Sequence, residues 1–205
     1  ITAFEALDAS KSSMHYVIIK HDVETNIEKA LQLAIIENKY QIKSTYYIQS
    51  YLIERKKNIR LLKRISELGH EVTLHYDVLD SNNGNYKLAE LEFDKILSKF
   101  ESLGMKVKTV CPHGNPVKER HGWSSNKDFF RNTKLNKKYT EIADIVVNPE
   151  KFINKEMIYI SDAGFGWKKI SNISSNDKDQ SIDEEIGGLD NVVSLIKEGS
   201  KTAQG

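Results

Sequence analysis

Residues able to bind a metal ion or transfer a proton lie at or near the ends of four apolar, strand-like segments. The segments are VIIKHDVE, VTLHYD, TVCPHGN and IYISDAG, and the polar residues are His21, Asp22, His75, Tyr76, Asp77, His113, Asn115 and Asp162. An aspartate with two histidines is a sufficient ligand set for a divalent metal ion that keeps one position open for water. Such an ion acidifies its bound water and polarises a carbonyl group, as the hydrolysis of an amide or ester requires.

Each of these residues also has a simpler structural explanation. An aspartate that follows a strand commonly forms a turn or caps a helix. His75 lies within an otherwise apolar strand, where burial alone explains it equally well. His70, in the stretch ELGHEV, is expected at the surface or in a turn. The metal hypothesis therefore depends on whether Asp22, His75 and His113 meet in space.

The apolar spacing predicts alternating strands and helices along most of the chain. Strands are predicted at residues 16–19, 42–50, 70–79, 106–114, 144–148 and 157–164. Helices are predicted at residues 26–38, 53–69, 86–104 and 189–199, with short helices within 128–143 and a polar loop at 174–188. Connections of about 10–20 residues between strands favour parallel pairing with right-handed crossovers.

This alternation predicts an α/β fold, and six or seven such units suit a distorted or incomplete barrel. An open, doubly wound sheet is the alternative. In both architectures the carboxyl ends of the parallel strands meet at one edge, where ligands bind. We therefore expect the polar strand ends to converge on one site.

Composition limits the classes of partner. The 205 residues are 39% hydrophobic and 29% charged, which is ordinary for a soluble globular protein, and this length fits one large domain or two small ones. A net charge of +1 gives no reason to expect nucleic acid or an anionic membrane surface as a partner, and no apolar run is long enough to span a bilayer. The single cysteine, together with a beginning that does not resemble a signal peptide, favours the cytoplasm. The sequence leaves the oligomeric state open.

The order of these segments resembles the polysaccharide deacetylase superfamily (NodB homology, carbohydrate esterase family 4). The likeness is strongest to its HDVD-type branch, which is associated with surface-polysaccharide biosynthesis, and it runs from about residue 16 to residue 167. The matching stretches are IKHDVE, KSTYYI, LGHEVTLHYD, VCPHG and SDAGFGW. The resemblance implies a single domain over residues 1–205, folded as a distorted or incomplete (β/α)7-type barrel of the NodB-homology kind.

The resemblance assigns Asp22 and His75 as metal ligands and places His21 at the position of the catalytic base. The second ligand histidine of the family is replaced by Leu79, so we expect His113, ahead of Asp77, as the third ligand. The arginine of the groove motif is replaced by Val110, and a closing Leu-x-His motif is absent.

The resemblance also implies a function: a hydrolase that uses a divalent metal ion, Zn²⁺ in the first instance, to remove an acyl group from a sugar. The group is expected to be N-acetyl, on a surface polysaccharide or its precursor. Asp162 is expected to orient a catalytic histidine, and a backbone N–H near Gly114 to hold the oxyanion. The residues expected to contact the carbohydrate are Tyr76, Asp77, Gly114, Asn115, Trp123 and Trp167. Two alternatives stay open: an inactive carbohydrate-binding or scaffold domain, and a different sugar modification at the same edge.

Overall fold

The computed structural model describes residues 1–9, 16–115, 118–152, 158–162, 166–171, 173 and 181–201, except for the side chains of residues 9, 181–183 and 199–201. The strands are β1 (Lys20–Val23), β2 (Thr45–Gln49), β3 (Glu71–Tyr76), β4 (Thr109–Pro112), β5 (Ala143–Asp144), β6 (Tyr159–Ser161), β7 (Trp167–Ser171) and β8 (Ser181–Gly187). The helices are α1 (Ala3–Ala9), α2 (Ile27–Lys39), α3 (Lys56–Glu67), α4 (Val78–Ser81), α5 (Tyr86–Ser102), α6 (Asp128–Arg131), α7 (Thr133–Lys138) and α8 (Leu189–Lys201). Two 3-10 helices span Ser50–Glu54 and Pro149–Lys151.

The first five strands form one parallel sheet in the order β1-β2-β3-β4-β5. Each connection therefore moves the chain one strand further in the same direction, which is the winding of a β/α barrel. A doubly wound sheet would reverse its strand order. The predicted α/β fold with a parallel sheet is confirmed, and the described strands form an open rather than a closed sheet.

Local signals explain where several helices begin and end. The Asn26 side chain accepts a hydrogen bond from the Lys29 N–H and so caps α2. Gly69 has a φ of +92°, a left-handed conformation that ends the helical region after α3 and turns the chain into β3. Both boundaries agree with the predictions made from the sequence.

One face of the five-stranded sheet, here the outer face, carries most of the hydrophobic core. The helices α2, α3, α5, α6 and α7 all contribute buried residues to this core. The sheet residues that meet them include Tyr46, Ile48, Leu74, Tyr76 and Val110. Because strand side chains alternate between faces, the residues between these positions lie on the opposite, inner face.

The inner face is covered at the amino ends of its strands by α1. Ala3 and Ala6 pack in a smaller core with Tyr47 and Cys111. The Ala3 N–H donates to Thr45 Oγ1 at 2.8 Å, which ties the first turn of α1 to β2. The carboxyl ends of the strands lie at the other end of this face, and they carry the candidate site.

Four predicted elements differ from the structure. The first strand, predicted at residues 16–19, instead spans Lys20–Val23. The segment predicted as a sixth parallel strand instead forms β6, which pairs antiparallel with β7 in a separate sheet, β6-β7-β8. The strand predicted at 144–148 shortens to β5, because the Asp144 carboxylate accepts the N–H groups of Val146 and Val147 and turns the chain. The second half of the predicted loop at 174–188 forms β8. Residues 157, 163–164 and 174–180 of these segments lie outside the described residues.

In the part of the chain that the structure describes, no helix has the length and apolar character needed to cross a membrane.

Candidate metal centre

Side chains along β1 alternate between the two faces of the sheet, and this determines which polar side chains reach the inner face. Val23 is buried on the outer face, in the main core. The neighbouring positions Asp22 and Glu24, and Lys20 two residues earlier, therefore point to the inner face. His21 shares the outer face with Val23, because β1 pairs with β2 through the whole stretch from Lys20 to Val23.

Side chains from β1, β3 and β4 converge at the carboxyl end of the inner face. The ligand atoms of Glu24, His75 and His113 lie within 4.8 Å of one another, and we call these three residues the Glu24 cluster. The ligand atoms of Asp22, His75 and Cys111 meet the same limit. The structure thus brings Asp22 and His75 together, as a shared site requires.

His75 presents one ring nitrogen to the cluster. Its Nδ1 lies 3.1 Å from the carbonyl oxygen of Cys111, to which it donates a hydrogen bond, and this fixes the tautomer. The other nitrogen, Nε2, lies 3.8 Å from Glu24 Oε1. Burial lowers the pKa of His75, and this favours the neutral imidazole that a metal ion needs.

His113 faces two carboxylates. Its Nε2 lies 3.2 Å from Glu24 Oε1, and its Nδ1 lies 3.5 Å from Asp77 Oδ1. The Nδ1 atom is buried and makes no hydrogen bond of normal geometry with the described residues. The interaction with Asp77 raises the pKa of His113. A carboxylate behind an imidazole is the arrangement that orients metal-ligating histidines in many proteins.

Asn126 holds Asp77 in place. Its Nδ2 group donates to Asp77 Oδ1 at 2.7 Å and to the His113 carbonyl oxygen at 3.0 Å. Its Oδ1 accepts the backbone N–H groups of Leu79 and Asp80. One fully buried amide side chain therefore connects the ends of β3 and β4.

Lys20 forms a second group with Asp22 and Cys111, which we call the Lys20 cluster. The Nζ atom lies 2.7 Å from Asp22 Oδ2 and 3.5 Å from Cys111 Sγ. Partial burial opposes ionisation of Asp22, but the Lys20 ammonium group and its neighbours lower the pKa of Asp22 overall. Burial raises the pKa of Cys111, so this residue remains a thiol. Tyr159 of β6 also lies against Lys20, which brings the second sheet to the site.

The donor atoms of the Glu24 cluster fit a divalent metal ion. Ligand atoms around tetrahedral Zn²⁺, with bonds of about 2.1 Å, lie roughly 3.4 Å apart. The distances of 3.2 and 3.8 Å from Glu24 Oε1 to the two Nε2 atoms bracket this value. The imidazole nitrogens favour Zn²⁺ over Mg²⁺ or Ca²⁺. Three carboxylates, from Asp22, Glu24 and Asp77, against one ammonium group leave an excess of negative charge for a divalent ion to balance.

Two predicted site residues lie on the outer face instead. His21 donates through Nε2 to Glu37 Oε1 of α2 at 2.8 Å, so the structure does not bring it to the metal centre as a base. Tyr76 is fully buried in the main core and donates to Asp144 Oδ2 at 2.6 Å, which removes it from contact with a substrate. Both corrections follow from the alternation of side chains along the strands.

His21 belongs to a buried hydrogen-bond network, here the Glu37 network, formed by His21, Glu37, Ser44, Tyr46 and His70. Glu37 accepts from His21, from Ser44 Oγ at 2.8 Å and from Tyr46 OH at 2.6 Å. His70 accepts the Ser44 N–H at Nδ1 and donates to the Ala34 carbonyl oxygen at Nε2. The expectation that His70 lies at the surface is wrong, since it is 4% exposed.

The remaining predicted residues lie around or away from the cluster. Gly114 is exposed, and Asn115 accepts a hydrogen bond from Arg120 at its carbonyl oxygen. Trp123 donates to Asp80 Oδ1 at 2.7 Å, and its ring lies against Gly84, where a side chain has no room. Trp123 is therefore tied to the loop after β3.

The second sheet carries the last two predicted residues. Asp162 is exposed just after β6. Trp167 is half-buried in β7, opposite Gly187. The structure brings neither of them into the groups of ligand atoms around His75.

The sequence prediction missed Glu24, Lys20, Cys111 and Asn126 as site residues. The period-two spacing of Lys20, Asp22 and Glu24 is a signal that places all three on one face. Cys111 likewise precedes His113 by two positions. No local signal identifies Asn126, because its role depends on the way the loop after β4 folds back.

Comparisons with known proteins give matches only among solved structures. No protein-family model and no curated protein matches the sequence. The peptidoglycan deacetylase PdaC from Bacillus subtilis is 16% identical, with a TM-score of 0.45 over 65% of this chain and 59% of that chain. A Streptococcus mutans CE4 esterase is 15% identical, with a TM-score of 0.48 over 73% of this chain and 65% of that chain. A CE4 family pseudoenzyme from Bacillus anthracis is 16% identical, with a TM-score of 0.41 over 66% of this chain and 43% of that chain. The chain thus spans less than two thirds of the length of each of these structures.

Proposed function

We propose that this chain is a metal-dependent hydrolase that removes an acyl group, N-acetyl in the first instance, from a sugar. The observation that carries the proposal is the Glu24 cluster: one carboxylate and two imidazoles from the ends of three strands, whose ligand atoms all lie within 4.8 Å of one another. The sugar substrate, on a surface polysaccharide or its precursor, is inferred from the sequence resemblance. His75 is a proposed ligand as expected, His113 is the other histidine, and Glu24 takes the place that the sequence suggested for Asp22.

The residues around the cluster have separate roles in the proposal. Glu24, His75 and His113 would hold the ion, and Asp77 orients His113 from behind. When bound, the ion supplies Lewis-acid activation of water and of the acyl carbonyl. The side chain of Asp22 is 34% exposed and is ionised beside Lys20, so its Oδ1 atom accepts the proton of the attacking water. The backbone N–H of Gly114, next to His113, is the proposed donor to the oxyanion.

The test compares two glutamate variants of the reconstituted protein. The protein is loaded with Zn²⁺, and acetate release from N-acetylated chito-oligosaccharides and from N-acetylated nucleotide sugars is followed by NMR. Glu24→Gln removes a proposed ligand from a half-exposed position, whereas Glu119→Gln changes a glutamate whose side chain is 87% exposed. We expect Glu24→Gln to lower both Zn²⁺ affinity and acetate release by about 100-fold, and Glu119→Gln to change neither by more than about twofold. A wild-type protein that binds no Zn²⁺ at equimolar concentration refutes the proposal.

A second candidate function is carbohydrate binding without hydrolysis. It is favoured by one observation, the ion pair of Lys20 and Asp22, because a carboxylate with a lowered pKa is a weaker base. In this case the protein retains the oligosaccharide but releases no acetate, and Glu24→Gln leaves carbohydrate affinity unchanged. Isothermal titration with the same oligosaccharides separates the two functions.

A further inference from the structure

The inner face offers two sets of metal ligands, and they share one atom. His75 belongs to the set with Glu24 and His113 and to the set with Asp22 and Cys111. Its Nδ1 is used by the Cys111 carbonyl oxygen, so only Nε2 has a free lone pair. A nitrogen lone pair binds one ion at a time, and the two sets therefore exclude each other.

An ammonium group already lies within the second set. Lys20 Nζ is 2.7 Å from Asp22 Oδ2 and 3.5 Å from Cys111 Sγ, in contact with two of the three ligands. The Lys20 side chain is only 17% exposed, and its Nζ lies 5.8 Å from the centre of the Tyr47 ring. Tyr47 is fully buried, and Tyr159 also interacts with Lys20, so the ammonium group has partners on both sheets. A divalent ion bound to Asp22 and Cys111 would lie beside this positive charge and be repelled by it.

We propose that Lys20 is a built-in cation that keeps metal away from Asp22 and Cys111 and so directs it to Glu24, His75 and His113. Lys20 then determines which ligand set is used, without contacting the metal ion. Asp22 and Cys111 then both stay free of metal. This inference rests on the proposed function, because it requires that the Glu24 cluster binds a metal ion.

Cobalt(II) is the probe, since its spectrum reports thiolate ligation directly. Co²⁺ is titrated into the wild type, Lys20→Met, Lys20→Arg and the double variant Lys20→Met/Cys111→Ser. Methionine keeps the length and apolar stem of the lysine but removes its charge, whereas arginine keeps the charge. We expect one equivalent of Co²⁺ in the wild type and in Lys20→Arg, without a thiolate-to-cobalt charge-transfer band in the near ultraviolet. Lys20→Met is expected to gain this band, and the added Cys111→Ser substitution to remove it.

A second pair of variants tests the same claim with Lys20 in place. Glu24→Gln is expected to lower Co²⁺ affinity by about tenfold or more, and Asp22→Asn by less than about threefold, as measured by competition with a chelator. This pair decides the question if Lys20→Met does not fold, which circular dichroism shows. If Asp22→Asn lowers Co²⁺ affinity more than Glu24→Gln does, the inference is overturned.

The remaining outcomes separate this inference from the proposed function. A wild-type protein that binds one Co²⁺ with a thiolate band overturns the role of Lys20 and leaves a metal centre in place. A Lys20→Met protein that folds and binds Co²⁺ without a thiolate band overturns it as well. A wild-type protein that binds no Co²⁺ refutes the proposed function, and this inference with it.

Discussion

The Glu37 network and the Glu24 cluster contain the same kinds of residue, two histidines and a glutamate, on opposite faces of one sheet. In the Glu37 network the glutamate accepts three hydrogen bonds, and both ring nitrogens of His70 are paired. In the Glu24 cluster the carboxylate is half-exposed, and His113 Nδ1 lacks a hydrogen bond of normal geometry with the described residues. Composition alone therefore does not separate a structural network from a binding site, whereas the number of unused donor and acceptor atoms does.

Glu37→Ala tests the structural side of this comparison and has the largest expected effect. The substitution leaves His21, Ser44 and Tyr46 without their shared acceptor in a buried position, so the free energy of unfolding falls by about 4 kcal/mol. Metal affinity of the folded fraction stays unchanged. Urea denaturation gives the first quantity and chelator competition the second. A stable Glu37→Ala protein that has lost its metal would reverse the assignment of the two clusters.

Asp144 sharpens the comparison through pH, because it is fully buried on the same face of the sheet as Glu37. Tyr76 OH and the N–H groups of Val146 and Val147 contact it, and burial raises the pKa of Asp144 to about 6 from its usual 3.8. The folded protein therefore keeps a proton that the unfolded chain releases near pH 4. The stability contributed by this proton is fully present below pH 4 and is lost as pH rises through about 6, by up to about 3 kcal/mol.

The measurement compares urea denaturation of the wild type and Asp144→Asn at several pH values between 4 and 8. Asparagine has no proton to lose, so the stability difference should shift in favour of the variant as pH rises. Parallel pH profiles for the two proteins would show that the folded state does not raise the pKa of Asp144.

Asp77→Asn tests the Glu24 cluster, and its expected effect on metal affinity and stability is intermediate in size. The amide no longer supplies a negative charge behind His113, so metal affinity is expected to fall by about 10- to 100-fold. The metal-free protein should lose less than about 1 kcal/mol of stability, because the Asp77 side chain is 33% exposed. Unchanged Zn²⁺ affinity in chelator competition would remove Asp77 from the metal centre.

His121→Ala is the smallest change and serves as the reference for both clusters. His121 Nε2 lies 3.6 Å from Glu119 Oε1, but the two side chains are 84% and 87% exposed. A pair in this position is screened by water, so we expect less than about 0.5 kcal/mol in stability and less than about twofold in metal affinity. A larger effect would mean that the mere proximity of a histidine and a carboxylate affects stability or metal affinity more than their burial and their number of hydrogen-bond partners do.

The sequence predicts most of the parallel part of the fold, because the spacing of apolar residues and the residues that begin and end helices agree there. Apolar spacing finds α2, α3 and α5, and Asn26 and Gly69 mark helix ends through local hydrogen bonding and backbone conformation. It fails for β6 and β8, which pair antiparallel with β7. Strand direction depends on the partner, and a short strand carries no local signal for it.

The site is predicted only in part, and the reason lies in one strand boundary. Ending the first strand at residue 19 leaves His21 outside it, where alternation does not apply. The structure instead forms β1 at Lys20–Val23, with Val23 opposite Ile48, and this turns His21 outward and Asp22 and Glu24 inward. If the apolar Val23 is taken to point into the main core, the alternation of side chains places its neighbours Asp22 and Glu24 on the opposite face. Asn126 is not predictable in this way, because it contacts Asp77 only after β4 and the loop that follows it have formed.

Asn126 restrains the part of the Glu24 cluster that follows β3 and β4 more than the part that follows β1. Its single amide group is shared by the end of β3, the end of β4 and the start of α4, and it ties the Asp77 side chain to the backbone of His113. Glu24 has no comparable support for its carboxylate among the described residues, and its side chain is 50% exposed. If the Glu24 cluster binds a metal ion as proposed, the carboxylate after β1 is therefore the ligand able to adjust to substrates of different bulk, while the histidine after β4 keeps its place.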